Sequence, residues 1–265
     1  MTERTTIIIH SSLCYVLAFM FTTIIHEFAH AFTGWLSNSH PVMYHNYVSH
    51  LSPENLSFSQ QTGIALAGPL ISLIQGFFMG GWFFKTKKRG LAQLFVLWAS
   101  ILGFNNFLGY VMTGPLFTAG DIGKMYALHG TSMFLQISFS LLAALGLLVV
   151  ANRMTRPFLE FSYKKQWIQP EQNAPKFSFI MIMLPYIIGS VIITFLYLPV
   201  INIVSIIYPI MSGMIFIYPW RNAVTVKNVR LSSSDQIGNL SWITVLIFML
   251  LLIIFRMVLP RGIAF

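Results

Sequence analysis

Apolar residues fill long, nearly unbroken runs along this chain, and polar residues gather between them. Seven runs reach the length that a hydrocarbon core about 30 Å thick demands of a helix. They lie near 7–35, 62–84, 91–112, 131–151, 177–197, 199–219 and 240–259. Pro199 and Asn202 set the division between the fifth and the sixth. The pattern predicts an all-α polytopic membrane protein of about six to seven transmembrane helices. After the first run, the segment Val42 to Val48 is rich in β-branched and aromatic residues and predicts a short strand or hairpin at the membrane surface. The polar stretch 152–176, with Pro157, Pro170 and Pro175, predicts a linker between a core over 1–151 and a group of helices over 177–265. Trp35, Trp82, Trp167 and Trp220 fall near predicted span ends, where interfacial aromatics belong.

Composition supports the pattern. Hydrophobic residues make up 56% of the chain and charged residues 9%, whereas a soluble domain carries about 25% charged residues. Mean hydropathy is +0.72. The first apolar run is too long for a cleavable signal and is expected to remain as a span. Cys14 is the single cysteine, so an intramolecular disulfide is excluded, and it reads as a small buried hydrophobe.

The net charge of +9 brings nucleic acid and anionic lipid to mind, but its distribution points to topology. Basic residues at 4, 85–89, 153–176 and 221–230 put 13 of the 16 Lys and Arg on one side of the predicted spans. The positive-inside rule makes that side cytoplasmic. A multi-pass protein of a bacterial-type cell membrane is expected, with the bilayer as a partner and no nucleic acid.

One short motif changes the picture from architecture to chemistry. His26-Glu27-Phe28-Ala29-His30 lies inside the first apolar run. On a helix the two histidines stand one turn apart on the same face. Two imidazoles at that spacing bind zinc, and the intervening Glu serves as general base. With 7 His among 265 residues, about 0.003 chance matches are expected. Ionisable residues within a span mark function by default.

A catalytic zinc takes three protein ligands and leaves one position open. Asp121, in the link Gly114–Lys124 between the third and fourth runs, faces the same side as the carboxyl end of the first span. His129 lies on the same link and is the alternative third ligand. His40, His45 and His50 also fall on that side but read as loop residues. His10 precedes His26 by 16 positions on one helix, about 24 Å, which excludes it. Asp235, among serines on the opposite side, reads as a loop residue or a cap.

Together these residues resemble the site-2 protease family of intramembrane zinc metalloproteases (M50-type). Three elements match in order: His26-Glu27-x-x-His30 followed by Gly34; Ala67-Gly68-Pro69-Leu70 in the next span; and Asn105-Asn106, Pro115 and Asp121-Ile122-Gly123. The match covers about residues 7–151. In the family the aspartate is usually followed directly by glycine, whereas here Ile122 intervenes. The resemblance implies that His26, His30 and Asp121 hold Zn2+, that Glu27 is the catalytic base, and that the substrate is a membrane-anchored protein, possible candidates being regulatory proteins. Asn105 and Asn106 are candidates for a hydrogen bond to the substrate backbone or the oxyanion.

Two other classes compete. Membrane proteases of prenylated CAAX proteins share the first motif but take a downstream Glu with an Asp four residues later; Glu160 is followed there by Lys164 and Glu171 by Pro175. A non-catalytic membrane metal-binding or transport protein is the other. A transporter spreads polar residues over several spans, and the last three runs hold few beyond Asn202 and Arg256.

Overall fold

The computed structural model describes residues 2–198 and 204–265, and the side chains of 204–207 are outside the description. Among the described residues, six helices are long and apolar enough to cross a membrane. Helix α1 runs Glu3–Leu36, α2 Phe58–Lys85, α3 Leu91–Thr113 and α5 Met133–Leu159. The fifth span, Glu171–Tyr197, contains α6 (Ala174–Ser178) and α7 (Leu184–Tyr197), joined by a π-helical turn over Phe179–Met183. The last carries α10 (Trp242–Met257). A short helix, α4 (Asp121–Leu128), precedes α5.

The predicted division at Pro199 and Asn202 lies outside the described residues. From Val204 onward the predicted sixth span is a run of short pieces: α8 (Val204–Met211), a 3-10 turn over Ser212–Phe216, and α9 (Ile217–Asn222). Pro209 within α8 and Pro219 within α9 cannot donate to the carbonyl one turn back, which breaks the ladder twice within ten residues.

The hairpin expected after α1 is present. Strands β1 (Pro41–Met43) and β2 (Val48–His50) pair antiparallel, Pro41 facing His50 and Met43 facing Val48. A third strand, β3 (Ile263–Ala264), pairs on the other side of β1, so β1 is the central strand of a β2-β1-β3 sheet. Two residues after Gly262, itself at φ +79°, offer no alternation from which to read a strand.

Helix burial separates roles. Within their most apolar windows α1 and α3 are 61% buried, whereas α5 is 11% and the span of α10 17% buried. An apolar helix exposed along its length has no soluble explanation and suits hydrocarbon.

The chain divides into two compact units, each assembled from three separate stretches. The first comprises Met1–Phe19, Phe78–Ile101 and Leu148–Phe248. Trp98 is fully buried there, its ring 5.0 Å from Tyr15, 4.8 Å from Phe158 and 5.2 Å from Phe216. Trp98 Nε1 donates to Ser11 Oγ, which donates to the Met181 carbonyl at 2.7 Å, so these two buried side chains are satisfied. Arg89 pairs with Glu160 at 2.8 Å and lies over the Phe83 ring. His10 is also held here, Nδ1 against the Ile237 carbonyl and Nε2 accepting from the Ser241 amide. Cys14 is buried, as its place in the apolar run predicted.

The second unit comprises Met20–Phe77, Leu102–Leu147 and Met249–Phe265. It holds the His-Glu-x-x-His motif, the Gly68-Pro69 element, the two asparagines, Asp121 and the three-stranded sheet.

Candidate metal centre

Helix α1 presents His26 and His30 one turn apart, and both are buried. Helix α2 supplies what holds them. It begins at a reciprocal cap: the Gln60 amide donates to Ser57 Oγ, and Gln60 Oε1 accepts from the Ser57 amide at 2.9 Å. This cap starts α2 four residues before the predicted 62.

One turn further on, α2 passes against the motif. His30 Nδ1 lies 2.6 Å from the Ile64 carbonyl, which can only accept. The Nδ1 atom of His30 therefore carries the proton, and Nε2 of the neutral ring carries the lone pair. Ser72 Oγ donates its one proton to the Gly68 carbonyl, so at 3.2 Å it accepts from His26 Nδ1. Here too Nε2 carries the lone pair. Two hydrogen bonds to one helix thus set both tautomers, as the hydrogen-bond acceptors behind metal-binding histidines do.

Gly68 makes the approach possible. A Cβ at that position would sit 2.3 Å from His30 Nε2 and 2.6 Å from His26 Nε2. Only hydrogen fits between the helix and the two ligand nitrogens. Pro69 follows, leaving the ladder of α2 without one donor in the stretch that serves the histidines.

Asp121 opens α4, where a carboxylate at the first position suits the helix dipole. Buried Ile122 and Tyr126, one turn apart, anchor the helix. A Cβ on Gly123 would lie 2.0 Å from the Phe117 carbonyl, so the link 114–120 folds back over α4 only because position 123 is glycine.

The result is a triangle. Asp121 Oδ2 lies 3.0 Å from His26 Nε2 and 3.3 Å from His30 Nε2, and the two nitrogens are 3.1 Å apart. The ligand atoms of the three residues all fall within 4.8 Å, so the group is able to hold a metal ion. With both tautomers fixed, three lone-pair acceptors converge with no hydrogen between them. Such a set is stable only around a cation, a proton or a metal ion, and two nitrogens with one carboxylate oxygen match the ligand count of an open zinc site. Burial opposes ionisation of the Asp121 carboxyl, but positive charge on the adjacent His30 and His26 rings, when a proton is the cation that the cluster holds, keeps it well below its usual range.

Glu27 is buried beside the triangle, within electrostatic reach of His26, His30 and Asp121. The Tyr110 ring of α3 stacks on His26, centroids 5.2 Å apart and planes within 15°. Asn106 stands one turn before Tyr110 and so shares its side of α3; Asn105 is rotated off it. Both asparagines are buried.

The alternative ligand is not brought to the cluster. His129 caps the end of α4, with Nε2 3.2 Å from Thr62 Oγ1 and its ring 4.7 Å from Phe58. His50 meets Ser39 Oγ at 2.8 Å, and burial together with the charges of Lys124 and His30 keeps its pKa below the ordinary value. His45 packs edge-on against Phe255. Two contributors were not assigned a role from sequence. Ser72 was legible only as a polar residue in a span. Tyr110 had one available signal, its i+4 spacing from Asn106.

Comparison with family models, with curated proteins and with solved structures returned no match to this chain.

Proposed function

We propose that the protein is an intramembrane zinc metalloprotease that hydrolyses a peptide bond in or near a transmembrane segment of a membrane-anchored protein. The observation that carries the reading is the convergence of His26, His30 and Asp121 within 4.8 Å, with Glu27 buried beside them on a helix apolar enough to span the bilayer. A purely structural polar cluster needs no fixed tautomers and no glycine clearance at the two Nε2 atoms.

His26, His30 and Asp121 would hold the zinc. When bound, zinc supplies Lewis acidity towards the scissile carbonyl and towards water. Ser72 and the Ile64 carbonyl orient the histidine rings so that both Nε2 atoms face the metal position. Tyr110 holds the plane of His26. Glu27 takes the proton of the attacking water and delivers it to the leaving amine nitrogen. Asn106, on the Tyr110 side of α3, donates a hydrogen bond to the substrate carbonyl or backbone, a role the family resemblance offers equally to Asn105.

The substrate must arrive extended, because a helical carbonyl is already hydrogen-bonded. An extended segment is captured by pairing with an open strand edge. Strand β1 has both neighbours in place, so an incoming strand adds outside β2, adds outside β3 or takes the place of β3.

The test is Glu27→Gln in a reconstituted assay with a single-span reporter substrate. Cleavage is expected to fall by about 100-fold or more, with metal content unchanged, the loss of a general base being worth that much. Cleavage at the wild-type rate would sink the mechanism and leave a metal-binding membrane protein that is not a protease.

A further inference from the structure

The first unit contains a cavity of about 600 Å³, formed by residues unrelated to the metal centre. Arg4, at the start of α1, and Lys176, in α6, both line it. Among the described residues neither side chain has a hydrogen-bond or ion-pair partner. The nearest acid in sequence, Glu3, is taken by Lys164. Two cations therefore face one cavity with no counter-charge.

The walls are aromatic. Trp167 and Phe177 are buried, and Trp220 is half-buried. Asn173 lends its side-chain amide to the Gln166 and Gln169 carbonyls, which fixes the rim rather than filling the space. Arg4 and Lys176 each lie at the beginning of a candidate span, so the cavity opens where spans end. Tryptophans at that height match the interfacial belt. The site also lies on the side where 13 of the 16 basic residues are expected.

We propose that this cavity binds the phosphate of an anionic phospholipid headgroup, with Arg4 and Lys176 as its charge partners and the aromatic walls against its glycerol and upper acyl carbons. The volume is that of a small-molecule site. Basic pockets beside spans on the cytoplasmic side are the recurring form of headgroup recognition. The same two cations suit a free phosphate, and the experiment separates the two sources.

The full chain, purified in mild detergent, is titrated with phosphatidylglycerol and with phosphatidylcholine, and the lipid retained per chain is read by native mass spectrometry. One phosphatidylglycerol per chain is expected to survive where phosphatidylcholine does not. The double variant R4Q/K176Q is expected to weaken retention about 30-fold, each cation contributing at the level usual for juxtamembrane basic residues. Lys87 and Lys88 are exposed and line no part of the cavity, so K87Q/K88Q should leave retention unchanged. Should the double variant not fold, K176Q alone carries the same test. Excess inorganic phosphate that displaces the lipid assigns the site to soluble phosphate; failure to displace it assigns the site to lipid. Equal retention of the two lipids, or equal weakening by K87Q/K88Q, overturns the proposal.

Discussion

At the scale of single residues, the proposed metal centre depends on where protons and hydrogens are absent. Asp121→Ala removes one of three converging acceptors and is expected to bring bound zinc from near one per chain to near zero. His129→Ala, on a residue engaged with Thr62 and Phe58, should leave it near one. Zinc per chain by elemental analysis of detergent-purified protein checks both, and loss with His129→Ala instead would move the third ligand.

Gly68→Ala tests the clearance. Alanine is the better helix former by about 1 kcal/mol, so α2 itself gains. Its methyl group would nevertheless lie 2.3 Å from His30 Nε2. Metal affinity is expected to fall while helicity by circular dichroism is kept. Ser72→Ala leaves His26 Nδ1 without its acceptor, and a fall in zinc affinity of about 10- to 100-fold is expected, as when other acceptors behind a metal-binding histidine are removed. Unchanged affinity in both variants would mean that α2 does not organise the site.

At the scale of elements, the site rests on caps and short pieces more than on long helices. The Ser57–Gln60 cap begins α2, and Gly123 lets the link fold over α4 so that Asp121 is held at a helix start. The sheet is the element most open to perturbation. β3 contributes two residues, and the Phe265 amide adds a bond to the Pro41 carbonyl at 3.0 Å. Proline at both 263 and 264 removes both strand donors and should detach β3, exposing one edge of β1. If extended substrate pairs at that edge, cleavage of the reporter by the 263/264 variant rises severalfold. A rate equal to wild type would place substrate pairing outside β2, and a rate below it outside β3.

At the scale of the whole molecule, the outward apolar faces of α5 and α10 and the distribution of basic residues make a claim about topology. Lys87 and Thr118 are both exposed and are expected on opposite sides of the membrane. Because Cys14 is the only cysteine and is buried, single cysteines placed at 87 or 118 in a Cys14→Ala background report cleanly. In intact cells a membrane-impermeant maleimide should label the cysteine at 118 and spare the one at 87. The reverse pattern would invert the orientation and place the metal centre nearer the cytosol.

The sequence by itself determined the six helices long and apolar enough to cross a membrane, because twenty or so consecutive apolar residues have only one stable form in hydrocarbon, with every backbone group bonded inside the helix; the remaining predicted run, near 199–219, is not among them. It determined the His26–His30 pair too, since a spacing of four fixes geometry within one helix. It located the hairpin after α1 from a local enrichment of strand-forming residues. Other features are not local. Asp121 meets the histidines across 95 positions, and only the packing of α2 and α4 brings it there rather than His129. The tautomers depend on a carbonyl and a hydroxyl of another helix, and β3 exists only because β1 has an edge for it. Tertiary structure decided these because each is a contact between distant segments, and neither composition nor periodicity records which segments will touch.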